Sequence, residues 1–199
     1  MRELPAGPFR VIAADPPWRF ESWSSKGTAK AADNHYQTMS LEEIAALPIA
    51  EVAAPDCLLL MWAVNPMLPQ ALATMQAWGF EYKTVGFVWA KTTRKSEPTW
   101  DPRFHMGLGY WTRANAEVCL LGTRGKPKRS SKAVRQLIVE PVREHSRKPE
   151  EFYRRTTALA EGPYLEMFAR QKREGWMTWG NETEKYPARG SFGMPHNPM

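Results

Sequence analysis

Cysteine is scarce in this chain: Cys57 and Cys119 are the only two in 199 residues. Both sit in apolar runs, without metal-ligand spacing and without a framework of pairs. A disulfide-stapled fold is therefore excluded, and no metal site is expected. Long apolar stretches are missing too. No run is long enough to span a membrane, and residues 1–10 carry no signal-peptide core. A cytoplasmic protein without a membrane partner is the expectation. Internal repeats are absent, and 199 residues suit one domain with a single core. Residues 1–184 are read as that domain. The proline- and glycine-rich tail 185–199, which has no apolar period, is read as disordered.

Acidic residues are outnumbered, 21 against 27 Lys and Arg, which leaves a net charge of +6 and a pI near 9.4. The excess is concentrated. Between positions 124 and 155 stand eleven cations: Arg124, Lys126, Lys128, Arg129, Lys132, Arg135, Arg143, Arg147, Lys148, Arg154 and Arg155. Only Glu140, Glu144, Glu150 and Glu151 oppose them. The Gly-, Pro- and Ser-containing part, 124–135, holds six cations and no acid, a composition that can follow a phosphate backbone. A solvated loop is the plainer alternative. Nine tryptophans suit surfaces that are packed on one edge and wet on the other.

Strands and helices alternate along the chain. The spacing predicts strands at 9–14, 57–62, 84–90, 117–122, 137–141, 164–169 and 176–179. Ser40-Leu-Glu-Glu43 forms a capping box that opens a short helix ended by Pro48. Helical spacing recurs at 66–78 and 149–160, whereas 19–37 and 92–112 are irregular. Buried apolar strands alternating with helices predict an α/β fold built on a mostly parallel sheet.

One tetrapeptide stands out: Asp15-Pro16-Pro17-Trp18, directly after the apolar run Val11-Ile-Ala-Ala14. Two prolines end the strand and stiffen the loop that follows. That loop presents a carboxylate, proline carbonyls and an aromatic ring at the carboxyl end of a strand, where open α/β sheets bind ligands. Acceptors for N–H groups beside a ring for stacking would suit a planar heterocyclic amine.

The tetrapeptide resembles that of the MT-A70-like N6-adenine methyltransferases, and further segments extend the likeness. They are Tyr36-Gln-Thr-Met-Ser-Leu-Glu-Glu-Ile44, Leu58-Leu-Leu-Met-Trp62, Phe87-Val-Trp-Ala-Lys91, Gly109-Tyr-Trp111 with Ala116-Glu-Val-Cys-Leu-Leu-Gly122, His145-Ser-Arg-Lys-Pro-Glu150, and Leu165-Glu-Met-Phe-Ala-Arg170 with Trp179-Gly-Asn181. The resemblance runs from about residue 9 to 182. It implies a Rossmann-like sheet that binds S-adenosylmethionine, with permuted motif order: the catalytic motif near the N-terminus and the cofactor strand in the C-terminal half. It implies Asp15, Pro16, Pro17 and Trp18 as catalytic residues, and Tyr36, Trp62 and Lys91 around the substrate base. Asp15, Lys148, Arg170, Asn181 and Glu182 would contact the cofactor, Lys148 through its carboxylate and Arg170 and Asn181 through its ribose. The sequence departs from the family in having no Gly-rich loop after the cofactor strand, and in Gln171-Lys-Arg173 replacing the family's more variable continuation. It also lacks the zinc-finger appendage of the eukaryotic RNA enzymes.

The activity implied is methylation of the N6 amino group of adenine in nucleic acid, DNA being favoured over RNA. Asp15 and the Pro16 carbonyl would each accept an amine hydrogen, with Trp18 and Tyr36 flanking the base. The basic segment would meet the nucleic acid, and assembly as a homo- or hetero-oligomer is left open. Two other functions stay in view: a catalytically silent nucleic-acid-binding subunit, and a methyltransferase for another planar amine.

Overall fold

A computed structural model describes residues 3–18, 39–93, 103–107, 109, 111–144 and 147–186. Among the described residues seven strands form one sheet: β1 (Phe9–Ala14), β2 (Ala53–Ala63), β3 (Glu81–Thr92), β4 (Ala116–Arg124), β5 (Leu137–Pro141), β6 (Tyr164–Met167) and β7 (Trp176–Trp179). Their order is β5-β3-β4-β2-β1-β6-β7. Every neighbouring pair is parallel except those made by β4, which runs antiparallel to both β2 and β3. The mostly parallel sheet expected is thus found, with one reversed strand inside it.

β1 is central. Val11, Ile12, Ala13 and Ala14 pair with residues 58–61 of β2 on one side and 164–167 of β6 on the other. Successive side chains of a strand point to opposite faces. Ile12 and Ala14 accordingly join a core with Leu59, Met61 and Leu165, while Val11 and Ala13 join one with Leu60, Trp62 and Phe152. Helices α1 (Leu41–Ala45), α2 (Ile49–Val52) and α3 (Leu68–Ala77) cover the first face, and α4 (Glu150–Leu159) covers the second.

Local chemistry sets the helix ends. Ser40 Oγ accepts the Glu43 amide at 3.1 Å, and the Glu43 carboxylate accepts the Ser40 amide at 2.8 Å. Pro48 stops α1, and the single turn α2 follows where only one helix was expected. Trp78, fully buried after α3, donates its indole N–H to the Ile44 carbonyl at 2.9 Å and ties α3 to α1. Gly79 turns the chain toward β3 at φ 83°, a conformation glycine adopts without steric cost.

One expected element is shorter: the strand expected over 164–169 ends at Met167, because Phe168 takes φ 60° and breaks the ladder. Beyond 184, the Tyr186 amide donates to the Arg170 carbonyl at 3.0 Å and the Tyr186 ring lies under the Arg147 guanidinium. Residues 187–199, read as a disordered tail, lie outside the described residues.

Candidate active site at the carboxyl edge of the sheet

Parallel strands bring their carboxyl ends to one edge, and the reversed β4 brings its amino end to the same edge. Asp15 follows β1, Trp62 and Lys91 are the penultimate residues of β2 and β3, and Glu117 is the second residue of β4. Lys148 enters α4, and Phe168 leaves β6. Sheet direction alone collects these groups from six elements.

The Asp15 loop is pinned rather than mobile. The Trp18 amide donates to the Pro16 carbonyl at 2.8 Å, and the Trp18 indole N–H donates to the Trp62 carbonyl at 3.0 Å. The Trp18 ring is 3% exposed and packs in the core with Ile44 and Met67. Expected as a ligand-stacking ring, Trp18 is instead placed as an anchor, because the Trp62 carbonyl offers its N–H a buried partner. Trp62 is likewise buried, edge-on to Phe152 at 5.1 Å.

A chain of alternating charge runs across the edge. Lys148 Nζ lies 3.0 Å from Asp15 Oδ1 and 3.0 Å from Glu117 Oε2. Glu117 Oε1 accepts in turn from Lys91. The ammonium of Lys148 sits 5.2 Å from the centre of the Trp62 ring, and that of Lys91 sits 5.0 Å from the Trp89 ring. Burial opposes charge on Lys148, yet Asp15 and then Glu117 outweigh it and raise its pKa. Burial also opposes charge on Glu117, but Lys148 and Lys91 prevail and hold the carboxyl at about 2. Buried charges are tolerated when paired in this way.

Beside this chain opens a cavity lined by Asp15, Lys148, Tyr153, Glu166, Phe168 and Arg170, together with Gln171 and Arg173. The turn after β6, which carries Phe168 and Arg170 to this cavity, is held by close backbone packing. The Ala169 amide donates to the Trp179 carbonyl at 2.9 Å, and Gly180 passes so close that a Cβ there would lie 3.0 Å from the Ala169 nitrogen. Phe168 turns the chain out of β6 at φ 60°, a conformation uncommon for a residue with a side chain. Arg173 stacks on the Tyr153 ring at 3.4 Å and pairs with Glu150, which Arg143 also contacts at 2.8 Å.

The structure therefore brings Asp15, Lys148 and Arg170 to one cavity; Trp62 and Lys91 lie outside its lining and connect to it through the Lys148 ammonium and Glu117, and Pro16 follows Asp15 in the loop. Glu182 stands by Arg170, its carboxylate 3.8 Å from the guanidinium, and Asn181 is exposed next to it. Tyr36 and His145 lie outside the described residues. Glu117, Tyr153 and Glu166 were not singled out from the sequence. A charged residue inside an apolar strand, as in Ala116-Glu-Val-Cys and Leu165-Glu-Met, was the available signal. No cluster that could hold a metal ion occurs among the described residues.

The basic segment divides. Arg143, Arg147, Lys148, Arg154 and Arg155 pair with acids or backbone, and Arg124 donates to the Ala50 carbonyl. Lys126, Lys128, Arg129, Lys132 and Arg135 are exposed on the loop after β4. Because β4 is reversed, that loop leaves from the opposite edge of the sheet: Arg124 pairs with Cys57, near the start of β2. Glu117 and Arg124 are seven residues apart along β4, roughly 23 Å at about 3.3 Å per residue.

Comparison with known proteins agrees in extent with the segments traced above. The MT-A70 family model matches residues 9–182. The chain is 31% identical over 198 residues to the Type II methyltransferase M.MunI of Mycoplasma sp, covering 90% of this chain and 80% of that protein. It is 28% identical over 179 residues to the N(6)-adenosine-methyltransferase MT-A70-like of Arabidopsis thaliana, covering 88% of this chain and 24% of that protein. With the N(6)-adenosine-methyltransferase catalytic subunit METTL3 of Homo sapiens it shares 28% identity over 182 residues, covering 89% of this chain and 29% of that protein. The chain thus spans most of the Mycoplasma protein and about a quarter of the plant and human ones.

Proposed function

This chain belongs to the MT-A70 family, and from that premise we propose that it methylates the N6 amino group of adenine in nucleic acid, using S-adenosylmethionine. The observation that carries this function is the position of Asp15: at the end of β1, paired with Lys148, and lining the same cavity as Arg170. The permuted motif order belongs to the same proposal, with β6 as the cofactor strand beside β1.

The donor set fits S-adenosylmethionine. Its carboxylate and hydroxyls call for cations and polar groups, and Lys148 and Arg170 line the cavity. Asn181 and Glu182 stand beside Arg170 for the ribose. When bound, the cofactor supplies a methyl group made electrophilic by its sulfonium. The protein's own part concerns the amine. The exocyclic nitrogen of adenine is a weak nucleophile because its lone pair is delocalised into the ring. Asp15 accepts one of its hydrogens. The Pro16 carbonyl, which already accepts the Trp18 amide, uses its second lone pair for the other. Two acceptors placed where positive charge develops favour a nitrogen with an available lone pair, and Asp15 receives the proton it sheds. The Trp18 and Trp62 contacts hold these acceptors still, and Tyr36 is left to stack on the base. In a duplex the adenine must first be flipped out.

Between the two nucleic acids we favour DNA, since the chain spans 80% of the type II methyltransferase M.MunI but only 24% and 29% of the plant and human adenosine methyltransferases. The test incubates the protein with labelled S-adenosylmethionine and duplex DNA, single-stranded DNA or RNA, and scores N6-methyladenine. Label in adenine that is lost in Asp15→Ala, with cofactor affinity largely kept, is the expected result. Full activity in Asp15→Ala would overturn the mechanism. Cofactor binding without transfer to any substrate would point to a missing partner or a non-adenine target, and no cofactor binding at all would favour the silent-subunit alternative.

A further inference from the structure

Glu166 is an acceptor in the cavity that this mechanism leaves unused. It lies on β6 opposite Ala13 of β1 and lines the cavity with Asp15, Lys148 and Arg170. Its Oε1 accepts the Tyr153 phenol at 2.5 Å. Its Oε2 is buried and has no hydrogen-bond partner among the described residues. Leaving a buried carboxylate oxygen without a donor is costly, so such a group either holds a proton or meets a donor brought by a ligand.

Charged and titratable groups face Glu166 from three elements. Tyr153 and Glu150 come from α4, Arg173 from the turn after β6, and Asp15 from the loop after β1. Burial is the largest influence. The Tyr153 hydrogen bond and Arg173 favour the anion, Asp15 and Glu150 oppose it, and the balance pushes the carboxyl up to about 7. Arg173 is engaged by Glu150 and the Tyr153 ring, which leaves Oε2 for something that enters the cavity.

We propose that Glu166 receives the α-ammonium of the amino-acid portion of S-adenosylmethionine and gives up its own proton to solvent as that ammonium binds. This rests on the cofactor assignment above. The cofactor carries two cations, but only the ammonium has N–H donors, so only it can satisfy an orphaned oxygen; the sulfonium has none. Charge at both ends of the contact also makes it stronger than a neutral hydrogen bond.

The sign of the linkage follows. In the empty cavity the carboxyl is mostly protonated below pH 7. Paired with an ammonium it stays ionised down to its ordinary range, so binding below pH 7 expels close to one proton. Affinity then rises roughly tenfold from pH 5.5 to 7. The ligand's own ammonium stays charged across that range.

Calorimetry with S-adenosylhomocysteine at pH 6, in two buffers of different ionisation heat, counts the protons directly, and dissociation constants at pH 5.5 and 7 give the slope. The expected result is close to one proton released and roughly a tenfold slope. 5′-Methylthioadenosine, which lacks the ammonium, should release none. Glu166→Gln should abolish the proton release and flatten the pH dependence. Tyr153→Phe removes a hydrogen bond that favours the anion, so it should move the affinity curve to higher pH; this variant keeps the test decisive if Glu166→Gln fails to fold. Binding of S-adenosylhomocysteine with no proton release, or equal release with 5′-methylthioadenosine, would overturn the inference alone. If S-adenosylhomocysteine does not bind at any pH, the cofactor assignment falls and takes the inference with it.

Discussion

Replacing Glu117 with glutamine removes one charge from the buried chain Asp15–Lys148–Glu117–Lys91 while keeping the shape of the side chain. Glu117 is 25% exposed and bridges two ammonium groups. Its carboxyl is held at about 2 against an ordinary 4.5. Burial pulls the other way, so the attraction of Lys148 and Lys91 is what keeps it low. That gap, at about 1.36 kcal/mol per pH unit, corresponds to roughly 3 kcal/mol of stability at pH 7. The sign is fixed by the lowered value: the stabilisation is complete above pH 4.5 and fades as pH falls toward 2. Urea unfolding of wild type and Glu117→Gln should therefore differ by about 3 kcal/mol at pH 7 and by roughly half that at pH 3. For a domain stable by about 5–15 kcal/mol this is a large fraction. Adding Lys91→Met to Glu117→Gln should recover part of the loss, since it removes a cation left without its carboxylate. A difference under about 0.5 kcal/mol at pH 7, or one that does not shrink on acidification, would refute the idea that paired charge holds this edge together.

Neutralising Lys128, Arg129 and Lys132 together should reduce the salt dependence of nucleic-acid binding while leaving kcat at saturating substrate unchanged. Each lost phosphate contact lowers the log–log slope by about 0.9 for duplex DNA. Fluorescence anisotropy across a salt series reads this, and an unchanged slope would mean the loop is only solvated. Trp111, 99% exposed on the segment joining the site ends of β3 and β4, should be dispensable for folding. Trp111→Ala is expected to keep the thermal midpoint yet raise KM for nucleic acid at least fivefold, as loss of a stacking contact worth about 1–3 kcal/mol would. Unchanged KM would exclude the ring from the substrate path.

What could be read in the sequence was set by local chemistry. The bounds of β1, β5 and β7 follow from apolar runs meeting prolines, glycines or charges, and the α1 start follows from Ser40 and Glu43. Asp15 was legible because two prolines end a strand wherever they occur. Strand direction has no such local signature, and β4 shows what it decides. Its reversal brings Glu117 to the carboxyl edge, where it meets Lys91 and Lys148, residues 26 and 31 positions away. The same reversal carries the loop with Lys126, Lys128 and Arg129 to the far edge. Eleven cations that look like one surface in the sequence are therefore divided between paired residues, many of them structural, and a remote exposed loop. Trp18 makes the same point on a smaller scale. Its ring is apt for stacking by composition, but the Trp62 carbonyl, 44 positions on, draws it into the core. One strand direction thus both assembles the charged chain beside Asp15 and separates it from the strongest basic patch. A nucleic acid that touches both must lie along the sheet rather than only over its site edge.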